Sequence, residues 1–108
     1  MIYWIYLSIA ILFEVAGTIS LKLSTQNGNI LTTGLVVLFY ITSFTFMWLA
    51  MKKIEMGVAY AVWAGAGTAI IAMLGWLIFK DSMTIMKMMF ISLIIIGVVG
   101  LKLATPSH

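Results

Sequence analysis

The sequence predicts an all-α membrane protein whose protomer is a single domain over 1–108 of four transmembrane helices. The 108 residues are 64% hydrophobic and only 8% charged, and mean hydropathy is +1.20. A soluble domain of this size still turns much of its chain to water and could not hide that much apolar surface. The apolar residues fall into four runs of bilayer-crossing length, parted by short polar stretches. Membrane-barrel strands would alternate polar and apolar over segments of ~10 residues, whereas these runs are longer and continuous. Helices are therefore expected at about 2–23, 30–51, 56–79 and 83–104.

The first run organises the rest. Residues 2–21 contain no Lys, Arg or Asp and a single carboxylate, Glu14. At ~1.5 Å per residue such a helix is ~30 Å long, enough to cross a bilayer core. An ionised carboxylate at that depth costs at least a few kcal/mol, so intramembrane acids face a bundle interior or an aqueous cavity. Ala10, Glu14, Gly17, Thr18 and Leu21 recur at spacings of three and four and share one face. Small residues beside the acid let another helix approach or leave space for a ligand. The run ends near Lys22, and the polar stretch 24–29 reads as a turn-rich loop.

The second run, 30–51, carries no charge, stops at Lys52 and Lys53, and places Tyr40, Ser43 and Phe44 on one face. The third, 56–79, sets Tyr60, Trp63 and Gly67 along a stripe with Gly57 a turn earlier, and is closed by Lys80, Asp81 and Ser82. Its Gly65 and Gly67 serve either close packing or bending. The fourth, 83–104, ends before Pro106, which discourages further helix. The first run has no basic flank and nothing resembling a cleavage site follows it, so a removable signal peptide is not expected.

Charge placement bears on orientation. With four spans, Lys52, Lys53 and Lys102 fall on one side of the membrane and Lys22, Lys80 and Lys87 on the other. Cytoplasmic loops normally carry the excess of basic residues, and here the two sides balance. The expectation is that copies insert both ways, which allows two identical chains to pair antiparallel.

If the marked faces converge on Glu14, a carboxylate stands among aromatic walls. That is a cation site: the acid supplies charge, and each Tyr or Trp face adds ~0.5–2 kcal/mol for a desolvated ammonium. Tyr3, Trp4, Tyr6, Trp48 and Trp76 are assigned instead to packing or the interfacial belt, and the nine methionines mostly to filler. Enzyme chemistry is not expected, since there is no cysteine, no intramembrane His and no second acid within a run. The lone His108 is the last residue, and neither a metal nor an organic cofactor is implied. No P-loop lysine follows Gly65 and Gly67, and the net charge of +3 is dispersed, which does not fit nucleic-acid binding.

These residues bring the chain close to a known family. Glu14-Val15-Ala16-Gly17-Thr18, then Leu21-Lys22-Leu23-Ser24, Tyr40, Ser43-Phe44, and the stretch 57–67 that holds Tyr60 and Trp63 closely resemble the small multidrug resistance (SMR) family of bacterial inner-membrane transporters. The resemblance covers essentially the whole chain. It implies a four-helix protomer, an antiparallel dual-topology homodimer and proton-coupled export of organic cations by alternating access. It also implies that Glu14 binds proton or substrate, that Tyr40, Tyr60 and Trp63 face the substrate, that Phe44 lines or gates the site, and that Ser43 is a polar neighbour. Ala10, Gly17, Thr18, Gly65 and Gly67 are expected in support, with the fourth helix, including Gly97 and Gly100, as the dimer contact.

Branch features are mixed. Guanidinium exporters of the family carry a Trp where Gly17 stands, so Gly17 follows the quaternary-ammonium branch, whereas residues 50–52 and 100–103 look like the guanidinium branch. Phe90 stands where a packing glycine is common, and Glu55-Met56 replaces a common Pro. Removal of the Trp is expected to enlarge the site and favour quaternary or lipophilic cations, since guanidinium wants fixed planar hydrogen-bond partners. A guanidinium exporter and a transporter of choline- or betaine-like metabolites remain alternatives, as do a proton-conducting subunit and a membrane scaffold.

Overall fold

The computed structural model describes residues 2–104; the expectations placed on Pro106 and His108 lie outside them. Four helices follow one another: α1 (Ile2–Asn27), α2 (Ile30–Ala50), α3 (Met56–Ile78) and α4 (Ile85–Ala104). All four are long and apolar enough to cross a membrane. The chain is thus built as a multi-pass membrane protein.

α1 runs further than the sequence reading allowed, taking in four residues of the expected loop. Polarity over 24–27 does not break a helix at a membrane boundary, where water can satisfy the side chains. Glycine does: Gly28 takes φ +63 and its N–H closes on the Ser24 carbonyl at 2.9 Å, a left-handed C-terminal cap. Asn29 then caps α2, its side chain accepting from the Leu31 N–H at 2.9 Å.

α3 ends by the same kind of turn without a glycine. The N–H groups of Phe79 and Asp81 both reach the Gly75 carbonyl, at 2.9 and 3.1 Å. Between them Lys80 takes φ +58, a conformation that strains an L side chain by about 1–2 kcal/mol. The wrap folds Asp81 back over the helix end, where a Cβ on Gly75 would stand 2.5 Å from Asp81 Oδ2. α4 begins at residue 85 rather than 83 because Thr84 caps it, its hydroxyl accepting from the Lys87 N–H at 3.1 Å.

The core sits between α1, α2 and α3. Leu7, Ala10, Ile11 and Val15 of α1 pack with Met47 and Ala50 of α2, with Ile54, and with Ala59 and Val62 of α3. α4 touches the rest chiefly through α3, where Gly65 lets Val98 and Ile94 come close, and none of its residues is buried. The protomer is a slab measuring 45 × 35 × 17 Å. Bilayer lipid accepts apolar side chains on every face, so a helix hydrophobic all round needs no protein cover to be stable.

Candidate functional site

A cavity of about 490 Å³ opens between α1 and α3, lined by Glu14, Thr18, Tyr60, Trp63, Ala64, Gly67, Thr68, Ile71 and Ala72. The α3 residues recur at alternating steps of three and one, which is one continuous helix face. Tyr60, Trp63 and Gly67 were legible as that stripe. Its continuation through Thr68, Ile71 and Ala72 was missed, although the same spacing extends to it.

Glu14 is half-buried and the only carboxylate in the cavity wall. Its Oε1 accepts the Thr18 hydroxyl at 2.9 Å. Its Oε2 lies 3.3 Å from where a Cβ on Gly67 would stand, so glycine there lets α3 close on the carboxylate. Thr18 Oγ1 also meets the Tyr40 hydroxyl at 2.8 Å. A threonine has one proton to give, so while it donates to Glu14 it accepts from Tyr40. The order Tyr40 to Thr18 to Glu14 aims two aligned hydroxyl dipoles at a charged carboxylate.

The aromatic wall is built from two helices. Tyr60 and Trp63 meet edge to face with centroids 5.3 Å apart, and Phe44 of α2 meets the Trp63 ring at 5.9 Å. Tyr60 is 58% exposed and Phe44 57% exposed, so the rings form one side of a chamber. Trp63 Nε1 is buried with no acceptor among the described residues, a donor that costs free energy until it is met.

Ala10, Gly17, Tyr40, Ser43, Gly65, Gly97 and Gly100 stand elsewhere than in that wall. Ser43 is 1% exposed and donates to the Ala10 carbonyl at 2.6 Å, which locks α2 to α1 at the fully buried Ala10. Tyr40 lies over Gly17, where a Cβ would stand 2.7 Å from ring atom Cε1. The space released by a small residue at Gly17 is therefore filled by Tyr40, and the expected enlargement of the site does not follow. Among the described residues, no other helix comes within 4 Å of a Cβ added at Gly97 or Gly100, on the open face of α4. Gly65 and Gly67 lie within an uninterrupted α3.

Comparison with known proteins places the chain in a family. The sequence profile described as Small Multidrug Resistance protein matches residues 2–94. An uncharacterized membrane protein of Bacillus subtilis (strain 168), YvaE, is 46% identical over 100 residues, covering 93% of this chain and 84% of that protein.

Proposed function

The chain belongs to the Small Multidrug Resistance family, a family of small membrane transporters, and on that premise we propose that it is a proton-coupled antiporter exporting quaternary ammonium and other lipophilic cations. The observation that carries this is the single carboxylate, Glu14, facing a cavity walled by Tyr60 and Trp63. A delocalised or alkylated cation needs one negative charge and polarisable ring faces, and little directional hydrogen bonding. One acid cannot hold a proton and an organic cation together, so the two compete.

Competition becomes exchange when the protein changes its open side readily only with the acid neutralised by one ligand or the other. Protonation from outside expels the cation, and deprotonation inside readmits one. The chamber is completed by a second copy set antiparallel. The uncovered face of α4 with Gly97 and Gly100, the half-open aromatic wall, the unmet Trp63 donor and the balanced lysines all support that pairing. Gly65 and Gly67 are the bending element of α3 in this scheme.

The test is the current produced by reconstituted protein on a solid-supported membrane when guanidinium, tetra-alkylammonium or bulky aromatic cations are applied. Tetra-alkylammonium and aromatic cations are expected to give currents that Glu14→Gln abolishes. Currents with guanidinium alone would move the protein to the guanidinium branch, and currents unchanged in Glu14→Gln would overturn the assignment of the acid.

A further inference from the structure

A second, smaller cavity of about 170 Å³ lies behind the first, lined by Thr18, Ile19, Lys22, Ile71, Gly75, Phe79 and Asp81. Thr18 and Ile71 belong to both walls. Thr18, whose hydroxyl touches Glu14, therefore borders both, and the smaller cavity forms a passage from Thr18 to Asp81. Resting on the exchanger proposed above, we propose that this passage is a proton route separate from the cation route, with Asp81 its outer proton acceptor and Thr18 its inner relay.

The need for such a route follows from the geometry. An organic cation docking in the large cavity stands in front of Glu14 just when the acid must lose its proton. The carboxylate keeps its contact with Thr18 through Oε1. Glu14 in its acid form gives its proton to Thr18 Oγ1, Thr18 gives its own to water in the small cavity, and water passes one to the Asp81 carboxylate and so to bulk. Each step moves one proton with no other reactant. The passage has room for several waters, with Thr18, Lys22 and Asp81 as polar partners.

Charge and size make the passage selective. Lys22 in its wall repels organic cations, and its volume is about a third of the main cavity's. Asp81 itself is set by the strained turn at Lys80 and by the close approach that Gly75 allows. The charged groups around it are Lys22 of α1, its chain neighbour Lys80, and Lys87 of α4, which shares a further cavity wall with Asp81 and donates to Ser82 Oγ at 2.7 Å.

The experiment is stopped-flow mixing of the full-length reconstituted protein with tetrapropylammonium in weak buffer containing a pH-indicator dye. Asp81→Asn is expected to slow proton release at least tenfold while equilibrium cation affinity and total protons released stay unchanged. Millimolar acetate, a small carboxylate able to enter the passage, should restore the rate, and Asp81→Glu should retain it. Wild-type release that Asp81→Asn leaves equally fast would overturn the separate route while leaving the exchanger intact. A slow rate that acetate does not restore would also overturn it, by marking Asp81 as structural. Absence of release in the wild type would instead remove the exchanger on which the route rests.

Discussion

Gly17→Ala tests the helix contact that presents the acid. The added Cβ would stand 2.7 and 2.8 Å from two carbons of the Tyr40 ring, where non-bonded carbons rest at ~3.5–4.0 Å, so the ring must retreat by about 1 Å. A retreat of that size carries the Tyr40 hydroxyl, now 2.8 Å from Thr18 Oγ1, out of hydrogen-bonding range. Overpacking of this kind costs ~1–3 kcal/mol, and the lost hydrogen bond adds ~0.5–1.5 kcal/mol. Because the two closest approaches are to the Tyr40 ring, with Phe39 Cβ further off at 3.3 Å, the cost belongs in a double-mutant cycle with Tyr40→Ala, read from reversible unfolding in mixed micelles. Gly17→Ala should be clearly destabilising alone and close to neutral beside Tyr40→Ala, with a coupling of at least ~1 kcal/mol. An equal cost in both backgrounds, or none in the wild type, would refute the proposed contact.

Lys80→Gly should raise stability by roughly 0.5–1 kcal/mol, because glycine accepts the left-handed turn without strain; thermal unfolding measures it. Ser43→Ala should lower stability by ~0.5–1.5 kcal/mol through the lost bond to the Ala10 carbonyl, with cation affinity nearly unchanged, which a binding titration checks. Gly97→Ile should leave the protomer's helix content intact and weaken dimerisation about tenfold, seen by cross-linking across dilution in lipid. Two lysines added beside Lys52 should abolish transport alone and restore it when an oppositely biased copy is co-expressed; full activity from one biased version would rule out antiparallel pairing.

The fold was legible because lipid imposes a simple rule: a charge-free run of bilayer length must be a helix. Helix ends were less legible, since Gly28 and Lys80 end their helices by backbone conformation, and a lysine in a left-handed turn carries no sequence signal. In the site, Glu14, Tyr60, Trp63 and Gly67 followed from spacing on two helices. The places of Ser43 and Tyr40 did not, because a hydroxyl on that face can equally bond a neighbouring backbone, as Ser43 does, or a side chain of the next helix, as Tyr40 does, and only the interhelical distance decides. Asp81 is exposed, and what the sequence did not carry is that the turn at Lys80 folds it back beside Gly75.

The most direct test of competition at Glu14 is calorimetric titration of the protein with a tetra-alkylammonium cation in buffers of different ionisation heat. If the acid exchanges one ligand for the other, apparent affinity weakens as pH is lowered, by at most ~10-fold per unit for one competing proton. The measured heat should then track the buffer's ionisation heat, and Glu14→Gln should lose that dependence. Tight binding whose heat is the same in every buffer would contradict the account.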